Sequence, residues 1–449
     1  MFFDRPEAGR LAAVLQVTIK SGSRRTVQRG LGAAEALSDA DSLAECVELA
    51  RTAGLVVADR ITAVRDTPDP RWFIGSGKLG EVRERLAASE ADLLIVNHDL
   101  SPGQQRNLEK DLGCRVMTRT ELILNIFAGR ARTYEGQLQV ELAQLKHAQT
   151  RLIRGWTHLD RQKGGIGLRG AGETQLEMDQ RMLTERIQAA AKKLAEVAQR
   201  RQLGRKRRQR TNTLTVSMVG YTNAGKSTLF NALTTSDVLA EDKLFATLDP
   251  TMRQLQVDGV GEVVLADTVG FISHLPHSLI EAFKATLEEV AGADLLLQVI
   301  DAAADDPGAH IAEVEAVLKE IGAQDIPRLL VFNKIDALDA AHAAELVGRM
   351  QAGGNALAVS AIQGTGLEEL RAAIAGQLGV GAPTEVLIPA EDGRTRALLY
   401  RLGAVMAERL QEDGTLALTL RADSALLERL RATPKVLLQQ AHPVPTLSP

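Results

Sequence analysis

Eight residues, GYTNAGKS at Gly220–Ser227, fit the pattern G-x-x-x-x-G-K-[ST]. Those residue types suit a polyphosphate. The glycines Gly220 and Gly225 let backbone N–H groups approach phosphate oxygens, with Tyr221, Thr222, Asn223 and Ala224 supplying the rest of the loop. Lys226 can reach the β- and γ-phosphates, and the Ser227 hydroxyl suits Mg²⁺. Downstream, EVVLADTVG ends in D-x-x-G at Asp267, Thr268, Val269 and Gly270. There the carboxylate would hold Mg²⁺ through water and the Gly270 N–H would sense a γ-phosphate. PRLLVFNKID then ends in N-K-x-D, Asn333, Lys334, Ile335 and Asp336. A carboxylate at Asp336 can accept from N1–H and N2–H₂ of guanine, and adenine offers neither donor. The stem of Lys334 would flank the base. ALAVSAIQG adds Ser360, Ala361 and Ile362, whose backbone can support the guanine O6. Each tetrapeptide alone could be a surface turn. Together and in this order they describe a site for GTP with Mg²⁺.

Two parts of the chemistry stay open from the residues. A switch threonine that ligates Mg²⁺ is expected in KLFATLDPTM, where Thr247 and Thr251 both qualify. The position after D-x-x-G, where Ras-like enzymes carry a water-orienting glutamine, holds Phe271, which cannot do that work. The catalytic group is therefore unknown. Lys226, Thr247 and Gly270 remain as electrostatic and positioning groups, and another group, a partner's group or the phosphate cradle must supply the rest. His274 and His277 lie close by in FISHLPHSLIEAF and suit a structural or partner contact better than catalysis.

The elements that must position these residues follow from pattern. At 449 residues the chain should fold as roughly three or four domains. An apolar share of 45% supplies packed cores and argues against global disorder. Residues 1–135 alternate strand-like and helix-like stretches in the manner of an α/β domain. Residues 136–210 read as two long helices, an antiparallel hairpin tipped by GGIGLRGAGE and followed by a basic run. Residues 213–379 place the phosphate loop between a strand and a helix, and the later motifs at strand ends, as a doubly wound sheet requires. Residues 383–449 read as a small α/β unit of order β-α-β-α, its helix spanning TRALLYRLGAVMAERLQ and a short helix closing the chain. The fold class is thus multidomain α/β.

Charge and cysteine content narrow the setting. Net charge is −4, yet Arg200–Arg210 carries seven basic residues and no acidic one. That run suits either a solvated helix end or attraction to a polyanion such as RNA. Three tyrosines and two tryptophans are too few for a base-stacking platform. Cys46 and Cys114 cannot make a zinc site by themselves and fit a reducing compartment. With no signal-peptide pattern and no bilayer-length apolar run, a cytoplasmic protein is expected.

Two other glycine-rich turns compete for attention. Gly165, Gly167 and Gly170 spell G-x-G-x-x-G, but no strand precedes them and no acidic ribose contact follows, so a dinucleotide site is not expected. WFIGSGKLGEV opens a helix with Gly75-Ser76-Gly77-Lys78. It lacks the earlier glycine of a phosphate loop and has Leu79 where a hydroxyl belongs. It is either a plain turn or a helix start that cradles an RNA phosphate or a second nucleotide.

At this point the chain resembles the HflX family of GTPases over nearly its whole length. The resemblance is carried by WFIGSGKLGEV, RTELILNIFAGRARTYEGQLQVELAQL, GGIGLRGAGETQLEMDQR, VGYTNAGKSTLFNAL, LFATLDPT, DTVGFISHLPHSLIEAFKATLEE and NKID. It favours Thr247 as the switch threonine, with Phe245, Ala246, Leu248 and Asp249 beside the nucleotide. It implies GTP-favoured binding to the large ribosomal subunit and action on stalled or idle ribosomes, including splitting. It makes Gly165, Gly167, Arg169 and Gly170 candidates for RNA contact at the hairpin tip. Some members also hydrolyse ATP through the N-terminal region. Phe271 agrees with a family that lacks the glutamine. A monomer is expected. A ribosome-assembly GTPase and a GTP-dependent regulatory binding protein with a protein or membrane partner are the rival readings.

Overall fold

The first strand, β1 (Leu11–Ile19), buries alternate residues on opposite faces, so it needs cover on both sides. It receives it from helices that alternate with the strands: α1 (Asp39–Thr52), β2 (Val56–Arg65), α2 (Ser76–Ala88), β3 (Leu93–Val96), α3 (Pro102–Leu112), β4 (Arg115–Thr118) and α4 (Arg119–Arg130). The four strands are parallel in the order β2-β1-β3-β4. Helices α3 and α4 start in reciprocal capping boxes, Ser101 with Gln104 and Thr118 with Glu121. This computed structural model describes residues 9–20, 39–160, 171–210, 213–234, 244–245, 251–257, 260–272, 284–353, 355–378, 384–401, 404–411, 414–420, 430–431, 433 and 436–440.

Two long helices follow, α5 (Tyr134–Asp160) and α6 (Ala171–Arg210). They run antiparallel: Arg186 pairs with Glu141 at 2.9 Å and Gln149 Nε2 donates to Thr184 Oγ1 at 3.3 Å. The basic run Arg200–Arg210 is the last stretch of α6. The glycine-rich tip, with Gly165, Gly167, Arg169 and Gly170, lies outside the described residues.

The central layer is a six-stranded sheet. Its elements are β5 (Thr215–Gly220), α7 (Lys226–Thr234), β6 (Thr251–Val257), β7 (Gly261–Asp267), α8 (Lys284–Ala291), β8 (Leu295–Asp301), α9 (Pro307–Glu320), β9 (Arg328–Asn333), α10 (Ala340–Gly353), β10 (Ala356–Ala358) and α11 (Leu367–Gln377). Strand order is β10-β9-β8-β5-β7-β6, parallel throughout except for β6, which pairs antiparallel with β7 at the edge. Strand β5 lies inside this sheet between β7 and β8, so the loops after β5, β7, β9 and β10 open at one end. That end is where ligands of such sheets bind.

The C-terminal unit departs from its expected order. After β11 (Thr384–Pro389) comes helix α12 (Gly393–Arg401), which does not extend through AVMAERLQ. Residues expected to continue the helix instead form β12 (Val405–Leu410), antiparallel to β13 (Thr415–Leu420). A further strand, β14 (Leu437–Gln440), pairs with β11 and closes the order β12-β13-β11-β14. A short apolar run fits either periodicity, and here the cross-strand partner decides. The sequence signal passed over was Asp413-Gly414, a hairpin turn pair, with Gly414 at φ 80°.

Candidate functional site

The loop Gly220–Ser227 begins at the end of β5 and runs into α7. Its shape depends on conformations that few residues adopt. Asn223 and Gly225 have φ of 61° and 85°, turning successive N–H groups to one side. A Cβ on Gly225 would lie 2.3 Å from Asn333 Nδ2, and one on Gly220 would lie 2.2 Å from the Val299 carbonyl oxygen. Glycine is therefore required at both positions by close approach as well as by backbone.

Lys226 is 7% exposed, and its ammonium donates to the carbonyls of Gly220 and Tyr221 at 3.1 and 2.8 Å. Burial pushes its pKa down to about 8, with Asp267 as the opposing influence. Ser227 Oγ donates to Asp267 Oδ2 at 2.7 Å, and Asp267 is fully buried at the end of β7. A hydroxyl and a carboxylate touching beside the phosphate loop form a pair of hard oxygen donors suited to Mg²⁺. Of the two candidate threonines, Thr251 opens β6, whereas Ala246, Thr247, Leu248 and Asp249 lie outside the described residues, as do His274 and His277.

The N-K-x-D turn and the Ser360–Ile362 loop lock onto the Gly220–Ser227 loop through Asn333. Its Nδ2 donates to the Ala224 carbonyl at 3.0 Å, and its Oδ1 accepts from the Ala361 N–H at 3.0 Å. Asp336 is exposed and its Oδ1 accepts from Ser360 Oγ at 2.5 Å, which fixes the carboxylate's direction. Lys334, at φ 66°, pairs with Asp301 at 2.8 Å, while Ile335 opens a single 3-10 turn and Ile362 is 77% exposed. Three chain segments distant in sequence thus meet through one asparagine.

Thr268, Val269, Gly270 and Phe271 lie beside the phosphate loop rather than across from it. Thr268 Oγ1 donates to the Met218 carbonyl at 2.6 Å, Thr222 N donates to Phe271 O at 2.7 Å, and Phe271 N donates to Gly220 O at 3.0 Å. The Phe271 ring is 3% exposed and packs with Val219, Leu287, Val290 and Leu296. It faces the core, where a water-orienting group would be useless.

Sequence reasoning missed the residues that join this site to the N-terminal sheet. Tyr221 hydrogen-bonds Glu45 through its hydroxyl, and Glu45 pairs with Arg119 at 2.6 Å, both nearly buried. Burial works against the Arg119 charge, but Glu45 together with Cys46 and Tyr221 holds the pKa above its usual value. Arg119 also donates to Asn97 Oδ1 at 2.8 Å, and the Tyr221 ring stacks on His310 at 4.1 Å. Phe245 sets its ring edge-on to Phe127 at 4.6 Å, and Val269 and Ile272 join the same apolar cluster. No local spacing links Glu45 to Tyr221, so nothing in the sequence could have signalled this contact.

The chain matches four protein-family profiles in succession. They are described as GTP-binding GTPase N-terminal (residues 40–128), GTP-binding GTPase Middle Region (130–208), 50S ribosome-binding GTPase (215–334) and HflX C-terminal domain (345–435). It is 48% identical to GTPase HflX of Escherichia coli strain K12 over 93% of this chain and 95% of that protein. It is also 48% identical to GTPase HflX of Magnetococcus marinus, over 87% and 90% of the two chains. A crystal structure of an SsGBP and GDP complex aligns over 82% of this chain and 99% of that one, at 25% identity. Its TM-score of 0.44 is too low to bear on function.

Proposed function

This chain belongs to the HflX family of GTPases, and on that premise we propose that it is a Mg²⁺-dependent, ribosome-stimulated GTPase that engages the large ribosomal subunit and splits or rescues stalled or idle ribosomes. It works in the cytoplasm as a monomer. Among the described residues no helix is long and apolar enough to cross a membrane. The observation that carries the reading is Asn333, which ties the phosphate loop, the N-K-x-D turn and the Ser360–Ile362 loop into one guanine-nucleotide pocket.

In this reading the Gly220–Gly225 backbone and Lys226 hold the polyphosphate, and Asp336, aimed by Ser360, reads guanine. Ser227, Asp267 and Thr247 hold Mg²⁺, Asp267 through water. The metal, when bound, would neutralise charge on the β- and γ-phosphates. Phe245, Ala246, Leu248 and Asp249 border the nucleotide. Lys226 and the Gly270 N–H position and stabilise the transferred group, while a ribosomal contact completes the site that Phe271 leaves short. Gly165, Gly167, Arg169 and Gly170 meet ribosomal RNA at the hairpin tip. The basic end of α6, Arg200–Arg210, adds attraction to the phosphate backbone.

The test is GTP hydrolysis by the full chain with intact ribosomes, with isolated large subunits and alone, alongside sedimentation of the ribosomes. Stimulation by large subunits together with appearance of free subunits is expected. Stimulation without subunit separation would shift the reading to assembly of large subunits, and no stimulation would exclude the ribosomal role.

A further inference from the structure

Thr222 is the third residue of the phosphate loop, and its side chain has been given no task. It is 6% exposed, and its hydroxyl oxygen is buried without a hydrogen-bond partner. Burying a hydroxyl in that way costs stability, so an orphan of this kind in a native site calls for a role. Its surroundings suggest which one. A Cβ built on Gly270 would lie 2.8 Å from Thr222 Cγ2, 3.0 Å from Thr222 Cα and 3.1 Å from Lys226 Nζ. Thr222, Gly270 and Lys226 therefore close around one point, and the other two are the groups that face a γ-phosphate in such loops.

The neighbouring residue explains why a side chain fits there. Phe271 turns its ring into the core with Val219 and Leu287, leaving the loop side of Gly270 to Thr222. Here the glutamine is absent, and the Thr222 methyl lies against Gly270 with the hydroxyl on the same Cβ.

We propose that the Thr222 hydroxyl is a γ-phosphate contact: Oγ1 donates a hydrogen bond to a γ-phosphoryl oxygen, favouring GTP over GDP and stabilising the transferred group. This rests on reading Gly220–Ser227 as the phosphate loop. In the reaction the water oxygen bonds to Pγ while the bond from Pγ to the β–γ bridging oxygen breaks. The electron pair leaves with GDP and the water proton goes to the released phosphate. Thr222 keeps its proton throughout, and its hydrogen bond strengthens as charge spreads over the equatorial oxygens.

The experiment compares Thr222→Val, which keeps shape and loses the hydroxyl, with Thr222→Ser, which keeps the hydroxyl, and Thr222→Ala. Affinities for fluorescent GDP and a non-hydrolysable GTP analogue are titrated, and single-turnover hydrolysis is timed, on the full chain. Thr222→Val should weaken the triphosphate analogue about tenfold and leave GDP within about twofold, with hydrolysis slowed about tenfold. Thr222→Ser should recover most of both. A purely structural role would move both nucleotides alike, and that result, or no change in Thr222→Val, overturns the proposal. Faster hydrolysis in Thr222→Ala would also overturn it, marking the side chain as an obstacle. Lys226→Ala separates the two levels of inference. If it leaves both nucleotides bound, the loop reading itself fails; if it abolishes binding while Thr222→Val is silent, only the Thr222 role fails.

Discussion

Two glycine-lysine turns open helices in this molecule, one at Gly75–Lys78 before α2 and one at Gly220–Ser227 before α7. Each has basic side chains near a helix start, and the first even lines a cavity of about 420 Å³ with Thr62, Arg65, Ser76 and Lys78. The resemblance ends at the backbone. Gly75 has an ordinary φ of −75°, and Lys78 reaches outward to pair with Glu81 at 2.6 Å. Lys226 is buried against carbonyls of its own loop, which turns through two left-handed residues. The deeper difference is position. Strand β2 is at the edge of its sheet with β1 as its one neighbouring strand, and the segment that follows β1 lies outside the described residues. Strand β5 is interior, and the loops after β7, β9 and β10 bring Asp267, Asn333 and Ser360 to the second. The second glycine-rich helix start is met by neighbouring strand ends that bring a carboxylate and an asparagine to it, and the first is not met by comparable groups among the described residues.

The contrast can be broken most sharply at the two lysines. Lys226→Ala should weaken guanine nucleotides by about a hundredfold or more, since a charge-assisted contact to the phosphates is lost. Lys78→Ala, which removes only an exposed ion pair, should leave affinity within about twofold. Equal losses in a fluorescent-nucleotide titration would erase the distinction. Next in size, Asp336→Asn should lower GTP affinity roughly tenfold to a hundredfold and raise that for xanthosine triphosphate. Competition binding with the two nucleotides reads the switch directly, and an unchanged guanine preference would contradict the role of Asp336.

A third expectation uses the lysine environment. Burial holds Lys226 at about 8 in the free protein, and a bound polyphosphate favours its charged form. Binding therefore takes up a proton above pH 8. Affinity should be flat below that pH and fall by up to about tenfold per unit above it. The Lys226→Ala variant should lose that slope, and Lys78→Ala should keep it. The smallest effect expected is at the link to the N-terminal sheet. Tyr221→Phe or Glu45→Ala should each change nucleotide release about threefold, and the double variant no more than either alone. Additive effects in stopped-flow release would show that the hydroxyl and the carboxylate act separately.

Much of the candidate site was legible because its residues cluster in short strings whose chemistry is local. GYTNAGKS, DTVG and NKID each carry their own geometry, so spacing along the chain was enough to nominate them. The C-terminal helix shows the opposite case. AVMAERL satisfies helical spacing, yet becomes β12 because β13 offers a partner across a Gly414 turn, and strand pairing is a non-local choice. Glu45, Arg119 and His310 were invisible for the same reason, being ordinary helix residues until the two sheets met.

The sequence by itself determined the composition of the Gly220–Ser227 loop, the N-K-x-D string that ends at Asp336 and the absence of a glutamine at Phe271. Each is a property of residue type at fixed local spacing. The tertiary structure alone decided which glycine turn is met by other loops, that Asn333 joins three of them, and that the Thr222 hydroxyl is buried without a partner beside Gly270. Those depend on strand order and burial, which arise from long-range packing and have no local pattern to read.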